Sequence, residues 1–259
     1  MEAVSELWRY RELFYFLAWR DVKVRYKQTA LGIAWAVLQP LMTMVIFTLL
    51  FGKLGNMPSD GIPYPLFYFG ALLPWTYFAA TLANSGNSLV VNANLLTKVY
   101  FPRVILPTSA AVSGLVDFAV GSVLLFGIMA YYRIVPEWTL LLWVPLIVLL
   151  FVFALGVSMI LAALNVKYRD VKYTLPFLVQ LWLFVTPVIY PISMIPERYR
   201  SFVALNPLSG VIDTFRASLV PAKQVDWPLL GISAVVTVAV FAAAVVFFKK
   251  TERAFADIV

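Results

Sequence analysis

The chain has 259 residues, of which 62% are hydrophobic and only 13% are charged. Soluble domains carry about 25% charged residues, so residues 1–259 are predicted to form one all-α domain with several membrane spans. The chain contains no cysteine and no histidine, which excludes disulfides, thiolate metal sites and catalysis by a histidine base. The net charge of +7 indicates basic cytoplasmic loops rather than a nucleic-acid partner.

The N-terminal residues 1–30 alternate basic and apolar side chains. Their longest apolar run, Phe14–Trp19, is too short to cross a bilayer, so we predict an amphipathic helix lying in the membrane interface. Basic residues that include Arg20 and Arg25 place this helix on the cytoplasmic side. No cleavable signal peptide is visible.

Six later stretches are predicted to be membrane spans, because each is long and predominantly apolar. They cover residues 33–50, 64–82, 104–132, 140–164, 173–190 and 229–248. The third span contains Asp117, and a carboxylate is costly in lipid, so it should face a cavity or a partner helix. We give equal weight to a pore-lining role for Asp117 and to a structural hydrogen bond with a neighbouring span.

A polar segment, residues 92–107, separates the second and third spans. Leu95, Leu96, Val99 and Tyr100 recur there at helical spacing, and the polar side chains include Asn92, Asn94, Lys98 and Arg103. This pattern predicts a short amphipathic helix that Pro102 and Pro107 stop, lying on the membrane surface or docked onto a partner. An ordinary interfacial loop is the alternative.

The 191–228 segment, between the fifth and sixth spans, is too apolar for a plain loop and is interrupted by Asn206-Pro207. Each half is too short to span, which predicts a re-entrant helical hairpin on the outer side. Two helices lying on the outer surface are the alternative. Fourteen lysines and arginines fall on the proposed inner side and six on the outer side, which supports both termini being cytoplasmic. The six outer residues are Lys53, Arg133, Arg198, Arg200, Arg216 and Lys223.

The sequence offers little enzyme chemistry. It has no G-x-x-x-x-G-K-[ST] phosphate loop, and Asp117 is a single carboxylate at depth, so we predict no catalytic residue and no metal site. Aromatic residues are abundant, with 20 Phe, 13 Tyr and 8 Trp, and rings with polar handles suit the faces of sugars. Our candidates for a wide sugar-conducting channel are Tyr68, Phe69, Asp117, Trp182, Phe184 and Tyr190. Core packing or lipid contact is the alternative for each ring.

Five motifs, in order along the chain, resemble the membrane subunits of ABC-2 type polysaccharide exporters. They are RDVKVRYKQTALG at 20–32 (followed by Trp35 and Gln39-Pro40), NANLLTKVYFPR at 92–103 (with Leu106-Pro107), NVKYRDV at 165–171, TPVIYP at 186–191 and NPL at 206–208. Each motif is weak alone, but five at matching places in a six-span pattern identify the chain as a member of that family.

The resemblance implies a homodimer around a channel, with two separate ATPase subunits that bind ATP and magnesium, so this chain itself is expected to bind no cofactor. The 92–107 segment would be the coupling helix. Residues implied at the ATPase interface are Asn92, Asn94, Lys98, Tyr100, Arg103, Arg20 and Arg25. The substrate would be a lipid-linked polysaccharide exported across the inner membrane, with O antigen favoured over capsule or teichoic acid. The alternatives are a secondary transporter or channel without an ATPase, and an ABC-2 exporter of drugs or small lipids.

Overall fold

The computed structural model describes residues 8–27, 34–168, 170–220 and 223–252, and these ranges are helical without any strand. The ends of the 1–30 prediction, the start of the first span at Ile33 and the residues after Glu252 lie outside them. The α-helices are α1 Arg11–Lys27, α2 Ala34–Phe47, α3 Tyr64–Val91, α4 Ala93–Lys98, α5 Ile105–Tyr131, α6 Trp143–Lys167, α7 Val171–Val185, α8 Glu197–Ala204, α9 Pro207–Leu219 and α10 Trp227–Glu252. A π-helical stretch, Thr48–Leu54, extends α2, and a 3₁₀ turn, Trp138–Leu142, precedes α6.

Five helical stretches in the described ranges are long and apolar enough to cross a membrane. They are Val37–Leu54, Tyr64–Val91, Ile105–Tyr131, Trp138–Lys167 and Trp227–Glu252. The fifth predicted span, 173–190, differs, because α7 has 15 residues and ends at Val185. Thr186 precedes Pro187 and adopts an extended backbone, the conformation that a following proline favours, and this ends the helix.

The second predicted span, 64–82, stops nine residues before the end of its helix, because α3 continues to Val91. The polar residues that suggested a loop are accommodated within the bundle. The Asn165 side chain of α6 donates to the Gly86 carbonyl at 3.2 Å and to the Asn87 amide oxygen at 2.8 Å. A buried polar group that has partners does not have to end a helix.

Helix α3 lies at the centre of the bundle. Within its apolar window 78% of the residues are buried, compared with 6% for Val37–Leu54. Helices α5 and α6 both pack on α3, and α10 packs on α6. The small-residue face of α6 formed by Ala154, Ser158 and Ala162 is fully buried, and the Ser158 hydroxyl bonds to the Thr81 carbonyl of α3 at 3.3 Å. Small side chains allow this close approach.

The 191–228 segment contains two short helices with a break at Asn206-Pro207, as the sequence predicts. The Asn206 side chain caps α9 by accepting from the Leu208 amide at 3.3 Å. All thirteen residues of α9 are buried, against α3, α6 and α10. Helix α8 is mostly exposed and has one buried residue, Ala204.

The 92–107 segment is less helical than its apolar spacing predicts. Helix α4 ends at Lys98, and the next residue, Val99, is extended. Tyr100 therefore lies outside the helix and is 93% exposed. Pro107 does not stop a helix, because it lies in the first turn of α5, where the amide that proline lacks would have no helical partner.

The α6–α10 contact gives a stability prediction. A Cβ added at Gly156 would lie 3.2 Å from the Phe241 Cα, so Gly156→Leu must push the two helices apart. We expect a loss of about 1–3 kcal/mol, seen as a lower melting temperature of the purified protein. Gly127→Leu is the control, since nothing lies within 4 Å of that position. Equal melting temperatures for the two variants would contradict the packing described.

Candidate transport path and coupling surface

Helices α2 and α7 leave their apolar sides largely uncovered. In α7, Leu175 is the one buried residue, and the window Val37–Leu54 is almost entirely outside the core. Each helix also carries an exposed glutamine near its middle, Gln39 in α2 and Gln180 in α7. An amide facing lipid would lack hydrogen-bond partners, at a cost of several kcal/mol. These two faces are therefore suited to a water-filled path or to a second protein surface.

A cavity of about 600 Å³ lies between α2, α3, α5 and the last turn of α1. Three of the six predicted channel residues line it, namely Tyr68, Phe69 and Asp117. Leu183 of α7 also reaches its wall, so the cavity borders the side of the bundle where α7 is exposed. The structure thus gathers an aromatic wall and the single carboxylate of α5 around one space.

Asp117 has a structural partner, which was one of the two predicted alternatives, but that partner is the interface helix α1 and not a neighbouring span. It forms an ion pair with Arg25 and accepts a hydrogen bond from the Tyr26 hydroxyl, both on the last turn of α1. It also borders the cavity. Arg25, predicted at the ATPase interface, therefore lies on the cavity wall in this structure.

The other three predicted channel residues lie apart from the cavity. Trp182 packs edge-on against Phe78 and Phe153 and donates its indole N–H to the Asn206 side chain at 3.3 Å. Phe184 is 59% exposed on α7. The Tyr190 hydroxyl donates to the Phe184 carbonyl at 3.0 Å. Trp182 is thus a core residue of the single chain, and Phe184 belongs to the exposed α7 face.

Arg216 of α9 forms a buried junction that sequence reasoning missed. Its side chain is fully buried, and its guanidinium donates to carbonyl groups of both α3 and the chain that follows α7. The acceptors are Phe67 at 3.0 Å, Pro187 at 2.7 Å, Val188 at 2.5 Å and Tyr190 at 3.3 Å. The guanidinium also lies 3.6 Å from the centre of the Phe67 ring. Counting Arg216 as an outer-loop charge was wrong, although an arginine within an apolar segment is itself a signal of a specific role.

The two motifs at 186–191 and 206–208 meet at this junction. The Asn206 amide donates to the Thr186 hydroxyl at 2.9 Å, and Arg216 holds the carbonyls that follow Thr186. Nearby, the Lys223 ammonium bonds to Asp213 at 2.5 Å and to Asp60 at 3.3 Å. A connected polar network therefore ties the chain break after α7 to α9.

The predicted ATPase-contact residues divide into two groups. Asn94, Lys98 and Tyr100 are exposed around α4. The others bond within the chain. Arg20 donates to the Asn92 side chain at 3.0 Å, and the Arg103 backbone and guanidinium both donate to Glu252 at the end of α10.

Apolar residues fix the 92–107 segment beneath this exposed surface. Leu96 and Phe101 are buried in a cluster with Leu17 of α1 and Phe248 of α10. Because three elements share this cluster, the segment is held as part of the bundle rather than as a loose loop. Force applied to its exposed residues would reach α1 and α10 directly.

Comparison with known proteins places the chain among transporters. The profile of the ABC-2 type transporter family matches residues 12–220. An O-antigen export system permease protein from Myxococcus xanthus is 34% identical over 96% of both chains, and one from Klebsiella pneumoniae is 28% identical over 92% of both. A polysialic acid transport protein from Escherichia coli is 22% identical over 91% of this chain and 92% of its own length.

The Arg216 junction gives a prediction. Arg216→Met leaves four buried carbonyls without their donor, so we expect a loss of about 3–5 kcal/mol, measured by thermal or denaturant unfolding in detergent. Arg216→Lys should recover only part of this, because one ammonium cannot reach the acceptors that the guanidinium bridges. Arg198→Met, at an exposed site on α8, should stay within about 0.5 kcal/mol of the parent. A neutral Arg216→Met would show that the junction does not depend on the guanidinium.

Proposed function

Because the chain belongs to the ABC-2 type transporter membrane family, we propose that it is the permease subunit of an ATP-driven exporter of lipid-linked polysaccharide. The observation that carries this proposal is the similarity, over 91–96% of this chain, to an O-antigen export system permease protein and to a polysialic acid transport protein. The exposed glutamines on α2 and α7 support it, because a channel subunit needs such faces and a self-contained bundle does not.

We place the channel between two copies of the chain in the inner membrane, with α2 and α7 of each copy facing it. This arrangement has six spans, because α7 and the non-helical residues that follow it cross the membrane together. The burial of α9 supports a re-entrant hairpin, because a helix lying on the outer surface would keep one face exposed. Both termini are cytoplasmic in this arrangement.

Energy comes from two partner ATPase subunits that bind ATP and magnesium. They dock on the exposed residues of the 92–107 segment, Asn94, Lys98 and Tyr100. Two sets of hydrogen bonds hold this surface in place: Arg20 bonds to Asn92, and Arg103 bonds to the end of α10. An ion pair of Arg25 links α1 to α5. ATP-driven closure of the partners would thus move α1, α5 and α10 as one unit.

O antigen is the substrate we favour, because relatives with 34% and 28% identity carry that name. The test is deletion of the gene in its own cells, followed by detection of surface polysaccharide. Export should stop on deletion and return with the plasmid-borne gene. Loss of drug resistance with normal surface polysaccharide would favour the small-molecule exporter, and export abolished by ion-gradient collapse at constant ATP would favour a secondary transporter.

The docking surface gives a further prediction. Lys98→Glu and Tyr100→Ala should each reduce co-purification of the ATPase by about tenfold or more, because they alter exposed centres of the contact. Lys53→Glu is the control, since it makes the same charge change as Lys98→Glu but lies outside the 92–107 segment, in the π-helical stretch that follows α2. Unchanged ATPase recovery with both docking variants would remove the 92–107 segment from the interface.

The channel faces can be tested by cysteine labelling, because the chain has no cysteine of its own. Gln39→Cys and Gln180→Cys should react with a water-soluble maleimide in native membranes. Val235→Cys, 71% exposed on α10, should stay unreacted because that face lies against lipid. If Gln180→Cys is as protected as Val235→Cys, the α7 face does not line a water-filled channel.

A further inference from the structure

The cavity between α1, α2, α3 and α5 has the properties of a ligand pocket. Its volume, about 600 Å³, lies within the range of roughly 300–1,000 Å³ that is typical of small-molecule sites. Its wall is mostly aromatic and apolar, with a few polar groups from different helices. This combination is the usual mark of a binding site rather than of a packing defect, which would be smaller and wholly apolar.

The charges on the cavity wall cancel. Arg25 and Asp117 are its charged residues among those that the structure describes, and they pair with each other. The Asp117 carboxylate also accepts from Tyr26. An acidic ligand would have to compete with Asp117 for Arg25, and a basic ligand would have to compete with Arg25 for Asp117. The pocket is therefore matched to an uncharged ligand.

The remaining wall groups suit a sugar ring. Trp35, which is 48% exposed, offers aromatic surface to C–H groups, and the buried rings of Tyr68 and Trp75 form the floor beneath it. The Gln39 amide can donate to and accept from sugar hydroxyls. The Thr43 and Thr76 hydroxyls donate to backbone carbonyls of their own helices, and their oxygens can accept from sugar hydroxyls. Gln39 belongs both to this wall and to the exposed face of α2, so the pocket opens beside the proposed channel.

We propose that this cavity is a side pocket of the channel that binds one or two neutral sugar units of the polymer and discriminates against acidic sugars. The inference rests on the proposed function for its substrate, and it adds a site within each copy and a selectivity for charge. Arg25 and Asp117 are its specificity-determining pair. During transport through the channel, this pocket in each copy holds a segment of the polymer.

The first test fills the pocket. Ala80 of α3 lines it, so Ala80→Phe should weaken maltohexaose binding to the purified protein by about tenfold or more in calorimetry. Ala119→Phe, on the exposed side of α5, is the control and should bind like the parent. Thr76→Val, which removes one hydroxyl with little change in shape, is a second variant if Ala80→Phe does not fold. If folded Ala80→Phe binds maltohexaose as the parent does, the pocket assignment is overturned. If Ala80→Phe does not fold, parent-like binding by Thr76→Val overturns it.

The second test changes the charge. The parent should bind maltohexaose in preference to hexagalacturonate. Asp117→Asn frees the Arg25 charge and should raise hexagalacturonate affinity by about tenfold, whereas Arg25→Met combined with Asp117→Asn should not. A purely structural ion pair would change stability without reversing this preference. Equal binding of both sugars by the parent, or no gain with Asp117→Asn, overturns the assignment.

The two proposals fail separately. Polysaccharide export by cells that carry the parent gene tests the permease function, and binding to the purified chain tests the pocket. Export by the parent together with parent-like maltohexaose binding by Ala80→Phe would leave the permease function standing and remove the pocket. Absence of parental export would remove the permease function even if the cavity binds sugar.

Discussion

The buried guanidinium of Arg216 is the interaction on which the junction between α3, α9 and the chain after α7 depends. Non-helical backbone at membrane depth is tolerated only where protein groups satisfy its carbonyls and amides. After α7 the chain leaves the helix at Thr186, and Arg216 supplies the donors for Pro187, Val188 and Tyr190 while also holding α3 through Phe67. A short α7 and a buried α9 are possible together because one side chain joins them.

This junction has consequences for the transport path. In α7, Leu175 is buried and Val179, Trp182 and Leu183 pack on the core. Most of the remaining surface of this helix is exposed and could face a second copy or a channel. At the other end of the bundle, α1, the 92–107 segment and α10 share one apolar cluster, so that end behaves as a unit. The cavity with Arg25 and Asp117 lies where α1 meets α5, and α2, which we propose to face the channel, forms part of its wall.

Hydropathy and motif order predicted much of this fold, and the reasons differ by element. Long apolar runs give α5 to within one residue at each end and α10 to within four, because a bilayer-length helix has a strong one-dimensional signal. The end of α3 was misplaced because its polar residues find a partner, Asn165, that lies 78 positions beyond Asn87. The order of the five motifs identified the family, and the profile match agrees with it.

The candidate site was less accessible from sequence, because it depends on side chains brought together by the fold. Hydropathy indicated that Asp117 needs a partner but could not name Arg25, which is far away in sequence and looked like a cytoplasmic contact. Arg216 was assigned to an outer loop, because the positive-inside rule counts basic residues by loop without regard to their burial. Trp182 carried the same aromatic signal as Tyr68, yet one lies in the core between α3 and α6 and the other borders the cavity.

Transport by the purified components is the most direct test of the permease function. The chain and its partner ATPase would be reconstituted in vesicles with lipid-linked polysaccharide, and movement would be followed as protection of the polymer from an added glycosidase. Protection that requires ATP, requires both proteins and persists without an ion gradient is the result we expect. Protection that needs an ion gradient and arises without the ATPase would contradict the account.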